Sequence, residues 1–260
     1  MNATIRWFWF ASPQTFFPLA GTIARACGWL AVPLAAAGLY VGFFVAPTDA
    51  QQGEAYRIIF IHVPAAWMSM FLYVVMAFWA AVGLAFNTRL SAMLASAIAP
   101  TGALLTFLAL WTGSLWGRPT WGTYWVWDAR LTSELILLFL YLGFMALQAS
   151  IDDPRRADRA GALLAIVGVV NVPIIYYSVQ WWNTLHQGAS VSLRSSPKMA
   201  ATMLTGMLVM VFAFWAYAIA AAMMRVRSII REREGTNAWA RALLAPGTGR
   251  PVADARMMRR

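Results

Sequence analysis

The chain has 260 residues, of which 61% are hydrophobic and only 12% charged, and its formal net charge is +10. A soluble domain carries about twice that charged fraction, so a water-soluble globular enzyme is excluded. The single cysteine, Cys27, excludes an internal disulfide and a cysteine metal cluster, and no phosphate-loop motif for ATP hydrolysis is present.

In chain order, the first 25 residues hold Trp7, Phe8, Trp9, Phe10, Phe16 and Phe17, an aromatic stretch suited to a membrane interface and lacking a convincing signal-peptide cleavage site. A bilayer core of about 30 Å needs roughly 20 apolar residues per helix. Six stretches meet that length: Cys27–Ala46, Val63–Phe86, Leu94–Leu115, Leu131–Ser150, Gly161–Val179 and Ala200–Met223. Asn171 and Pro173 predict a kink in the fifth. No strand-like alternation competes. The expectation is an all-α polytopic membrane protein with one six-span domain over residues 1–224. A basic cytoplasmic tail, 225–260, extends the sixth helix and is disordered beyond Pro246.

Basic residues set the orientation. With the N-terminus in the cytoplasm, inner segments hold fifteen of the 20 Lys and Arg, and outer segments hold Arg57, Arg118, Arg130, Arg194 and Lys198. Both termini are then cytoplasmic. Most of the charge is an orientation signal and need not bind nucleic acid.

This topology brings both histidines, His62 and His186, to the outer face, together with the densest run of tryptophans. That run reads WGRPTWGTYWVWDARLTSE from Trp116 to Glu134, and Gly117, Pro119 and Gly122 argue for a loop until about Val126. Interfacial anchoring takes one or two aromatics. Trp116, Trp121, Trp125 and Trp127, bounded by Arg118 and Arg130, suit either a planar, apolar, anionic ligand or a partner surface. Two loop histidines could ligate one haem iron from opposite faces. Structural zinc would want four protein ligands, and the outer loops offer no thiolate. Indole rings could cover a porphyrin, and Arg118 and Arg130 could hold its propionates. Asp128 and Thr132 are candidate caps of the fourth span. Glu134 lies one turn further in, where a buried carboxylate needs a partner. The rival readings are a membrane electron carrier that retains haem and a scaffold whose Trp-rich loop docks a partner without haem.

The run from Trp116 to Glu134 resembles the tryptophan-rich signature of haem-handling membrane proteins of cytochrome c biogenesis. IHVPAAW around His62 and WWNTLHQGASV around His186 resemble the segments that present histidines on either side of it. Length and span number are similar to the haem exporter protein C family of the cytochrome c maturation system. The resemblance implies transient binding of haem b at the periplasmic face of the inner membrane, with bis-His ligation by His62 and His186. It places Trp116, Trp121, Trp125, Trp127 and Asp128 in the haem-binding loop. The implied partners are a membrane-anchored periplasmic haem chaperone, the subunits of an ABC transporter, a small single-span subunit and membrane lipid. It implies haem delivery and no catalysis of its own.

Overall fold

A computed structural model describes residues 12–186 and 199–244. The expectations for Trp7–Phe10, for Arg194 and Lys198, and for the segment beyond Pro246 fall outside these residues. Helix α1 spans Pro13–Tyr40 and continues through a π-helical turn, Val41–Val45. A short 3₁₀ segment, Glu54–Ile58, leads into α2, Ile59–Phe86. There follow α3 (Arg89–Trp121), α4 (Ala129–Ala149), α5 (Pro154–Gly168), α6 (Asn171–Trp181), α7 (Ala201–Glu234) and the short α8 (Ala238–Leu244). With α5 and α6 counted as one crossing, six segments are long and apolar enough to span a bilayer. Among the described residues there is no strand.

The helix ends follow local chemistry. Ser12 caps α1 by accepting from the Thr15 amide, and Pro13 follows it. Asp128 and Asp153 cap α4 and α5 in the same way. Asn87 (φ 56°) stops α2 in the left-handed conformation, and Gly122 (φ 81°) stops α3.

Four helices, α1, α3, α5 and α7, outrun the predicted spans. Apolar counting finds only the part of a helix that needs lipid, and propagation past it is cheap once the helix is nucleated. Helix α1 therefore begins well before Cys27. Helix α3 passes through Gly117 and Pro119 to Trp121, and the Gly122 amide closes it on the Arg118 carbonyl. The tryptophan-rich loop thus shrinks to about residues 122–128, with Trp116, Arg118 and Trp121 on the helix. Helix α7 crosses the boundary drawn at residue 224. Its last turns are held by Val226 and Ile230, buried against Leu90, Met93 and Leu94, and by ion pairs of Arg233 with Asp158 and Glu234 with Arg89. The fifth crossing breaks at Val169–Val170, as Asn171 and Pro173 predict. Pro173 has no amide to offer the carbonyl of Val169, which instead accepts from Val172. The Asn171 side chain donates to the Ser133 carbonyl at 2.9 Å and ties the break to α4.

Helix α3 is the most deeply buried span, and small residues there let its neighbours approach. Tyr141 of α4 lies directly over Gly102, where a Cβ would come to 2.2 Å from the ring, and its hydroxyl donates to the Ser69 carbonyl of α2 at 2.8 Å. Helix α1 packs chiefly on α7, with Met210 seated over Gly38.

Gly102→Ala forces the Tyr141 ring aside and is expected to destabilise the bundle by about 1–3 kcal/mol. Gly28→Ala, whose new methyl would meet only the Ala220 Cβ at 4.0 Å, is the neutral control. Thermal unfolding of both variants in detergent measures the difference.

Candidate functional site

Successive spans alternate in direction. The start of α2, the end of α3, the start of α4 and the end of α6 therefore meet at one end of the bundle. A cavity of about 490 Å³ opens there. Its polar and aromatic wall is His62, Trp116, Trp121, Arg130, Tyr176 and His186, and its floor is apolar, including Trp67, Met70 and Met207.

His62 comes from the first turn of α2. Its Nδ1 lies 3.1 Å from the Thr112 hydroxyl of α3. That hydroxyl already donates its proton to the Leu108 carbonyl at 2.6 Å. It can only accept from His62, so Nδ1 carries the ring proton and Nε2 keeps its lone pair. Gly113 makes room for the ring: a Cβ there would lie 2.9 Å from the His62 Cε1. Trp116 meets the ring edge-on at 5.6 Å and is itself held by an indole N–H bond of 2.8 Å to Gln52. Gln52 is fixed by its own turn, since the Asp49 carboxylate accepts from the Gln51 and Gln52 amides. Arg57 braces the same loop by donating to the Gly42 and Ala46 carbonyls at 2.6 and 3.2 Å.

His186 is arranged in the same sense from the other side. Its Nδ1 lies 3.2 Å from Oδ2 of Asp128, and the Trp121 ring meets it at 4.8 Å. The other carboxylate oxygen accepts from the Leu131 amide at 2.8 Å, capping α4, and Thr184 donates to Oδ2. Burial raises the Asp128 pKa, but the bonds from Thr184 and Leu131 and the nearby His186 outweigh it and hold the carboxyl below its ordinary value. An ionised carboxylate only accepts, so Nδ1 of His186 is the donor, and Nε2 keeps its lone pair with no partner among the described residues. Burial lowers the His186 pKa. Asp128 pulls it back up, and Arg130 pushes it further down, leaving it below the ordinary value of 6.5. At neutral pH the contact is a hydrogen bond to a neutral ring.

Arg130 stands in the first turn of α4 and donates to the Ile175 carbonyl at 3.2 Å, and the same side chain lines the cavity. One turn on, Glu134 is buried and accepts from the Ser69 hydroxyl at 2.7 Å.

The structure thus brings His62, His186, Trp116, Trp121 and Arg130 to one cavity. Arg118, Trp125 and Trp127 do not line it. Residues two apart on a helix point about 200° apart, so Arg118 leaves the face that Trp116 presents. Its guanidinium donates to the Gly122 carbonyl and lies 5.7 Å from the Tyr124 ring centre. Trp125 and Trp127 pack edge to face at 5.3 Å beyond the helix end, with Trp127 77% exposed. Asp128 stands behind His186. Thr112, Gly113 and Gln52 lie in no motif and are identified only by contact across long stretches of chain, and Thr184, within WWNTLHQGASV, is identified by its bond to Asp128, 56 residues away. Glu134 was visible in the sequence, but its partner Ser69, 65 residues away, was not.

Two neutral imidazole nitrogens, indole walls and one guanidinium suit a planar apolar ligand that carries a metal and a carboxylate. Among the described residues no three His, Cys, Asp or Glu side chains gather as for a bare metal ion. The family model described as Heme exporter protein C matches residues 6–241. The Heme exporter protein C of Escherichia coli K12 is 47% identical over 227 residues, covering 85% of this chain and 91% of the relative. That of Bradyrhizobium diazoefficiens is 53% identical over 207 residues, covering 78% and 77%. That of Haemophilus influenzae is 41% identical over 240 residues, covering 91% and 98%.

The two-histidine composition makes the site readable by NMR. In a His62→Gln background, the His186 ring is expected to titrate below pH 6.5. Asp128→Asn removes the charge that favours the imidazolium and should move the midpoint lower still. A midpoint above 6.5 would contradict the burial argument.

Proposed function

The chain belongs to the Heme exporter protein C family, and from that membership we propose that it binds haem at one membrane face and hands it on during the maturation of c-type cytochromes. The observation that carries this reading is the matched pair of histidines. Each has Nδ1 committed to a protein acceptor and Nε2 unpaired among the described residues, and both line one cavity. A metal-bound imidazole normally has its second nitrogen held in this way, which fixes the tautomer and orients the ring. Haem would be the cargo, and His62 and His186 are the residues that would ligate its iron. Trp116 and Trp121 cover the porphyrin, and Arg130 takes a propionate as a charge-assisted bond. The protein's own work is binding, orientation and exclusion of water, with no catalytic step assigned to it.

In this reading the cavity end is periplasmic and the membrane is the bacterial inner membrane. Support comes from charge: of the thirteen Arg among the described residues, all but Arg57, Arg118 and Arg130 lie toward the opposite end, which the positive-inside rule assigns to the cytoplasm. Trp127 and Tyr124, with half-buried Trp125 packed against Trp127, then form an aromatic edge beside the cavity mouth, where a membrane-anchored haem chaperone docks to receive the cargo. Delivery to it is coupled to the ABC transporter subunits and the small single-span subunit of the maturation system.

Haem titration followed by Soret absorbance tests the site. His62→Ala and His186→Ala each are expected to shift the Soret band and weaken binding. Asp128→Ala, which frees the His186 ring, should cost about 10–100-fold in affinity. Trp127→Ala should leave haem affinity intact and impair loading of the co-expressed chaperone. Wild-type spectra and loading in both histidine variants would refute the ligand assignment. Because His186 becomes a ligand only when deprotonated, and its pKa is depressed, affinity should be level at neutral pH and fall only at a lower pH than an ordinary histidine would impose. Titrations across pH 5–8 check the sign.

A further inference from the structure

A second cavity, of about 290 Å³, lies at the opposite end of the bundle, between the ends of α2 and α4 and the starts of α3 and α5. One wall is apolar, formed by Ala80, Leu84 and Phe144. Leu84 is also exposed on the outside of the bundle, so this wall runs on into the lipid-facing surface. The other wall carries charge, and its acids are already engaged. Asp158 receives two bonds from Arg233, at 2.7 and 3.0 Å, and one from Gln148. Arg89 is paired with Glu234 at 2.6 Å. Two cavity-lining guanidinium groups are left over. Arg155 and Arg159 are exposed and make no hydrogen bond or ion pair with the described residues. They stand one helical turn apart on α5, so both can reach one anion. No side chain caps the adjacent start of α3, whose dipole adds to the positive field.

We propose that this cleft is a binding site for the phosphate headgroup of an anionic phospholipid, held by Arg155 and Arg159 with an acyl chain laid along Leu84. Two free guanidinium groups select phosphate with net negative charge over a zwitterionic headgroup. The continuous apolar wall favours a lipid over a free anion. The site is remote from the haem cavity and does not depend on the haem reading.

The test uses the purified full chain in uncharged detergent, with thermal unfolding followed as phosphatidylglycerol, phosphatidylcholine or inorganic phosphate is added. Phosphatidylglycerol is expected to raise the midpoint saturably and phosphatidylcholine to do so far less. The double variant Arg155→Gln, Arg159→Gln should need about tenfold more phosphatidylglycerol for half the effect. Arg156→Gln with Arg225→Gln removes the same charge outside the cleft and should behave as wild type. Equal responses to the two lipids, an unchanged response in the cleft variant, or an equal loss in the control variant would overturn the proposal. If inorganic phosphate alone reproduces the full, Arg155- and Arg159-dependent effect, the phosphate chemistry stands and the lipid source is overturned.

Discussion

The carboxylate of Asp128 is the junction on which the two-histidine end of this protein depends. One oxygen accepts from the Leu131 amide and starts α4. The other accepts from the Thr184 hydroxyl and the His186 ring. Helix start, loop path and ring orientation are therefore set by a single ionised group. An amide side chain has one oxygen and would leave a donor unmet, whereas a carboxylate offers lone pairs on both sides. The same donors that place it also keep it ionised despite its burial. On the opposite wall Thr112 plays the corresponding part for His62 with a neutral hydroxyl. Its proton is already committed to the Leu108 carbonyl.

Lipid supplies no hydrogen bonds, so polar atoms within the spans bond to one another, with the buried Tyr73 hydroxyl an exception among the described residues. Ser69 donates to Glu134, Tyr141 donates to the Ser69 carbonyl, and Asn171 donates to the Ser133 carbonyl. Unmet, each such group would cost several kcal/mol in hydrocarbon. These bonds join α2, α4 and α6, the helices that present His62, Arg130 and Tyr176. They fix the relative height of the helices, which sliding apolar surfaces leave undetermined. Gly102 and the neighbouring alanines of α3 permit the close approach that such short bonds require.

Arginine serves four purposes in this chain. Arg57 braces a loop through backbone carbonyls, and Arg233 pairs with Asp158 to hold the end of α7. Arg130 faces the cavity of the two histidines, while Arg118, twelve residues earlier, faces away from it across the ring of Tyr124. Arg155 and Arg159 stand open at the far cleft. The bundle is thus asymmetric along its axis. One end has aromatic walls and imidazoles, and the other has guanidinium groups beside an apolar wall.

Composition and apolar run length are properties of the chain itself. They determined the helical membrane class, the six crossings, the break in the fifth and the convergence of both histidines with the tryptophan run at one end. Each follows from the bilayer's thickness and its intolerance of charge, and neither needs knowledge of neighbours. The tertiary structure decided which residues of that run share a cavity. Continuation of α3 to Trp121 put Trp116 and Trp121 inside and turned Arg118 away, since a helix sends residues two apart to opposite sides. It also supplied the partners that orient the two imidazole rings: Thr112 lies 50 residues from His62, and Asp128 lies 58 from His186. Hydrogen bonds over such separations depend on how helices pack and at what height, and no local pattern in the sequence encodes that.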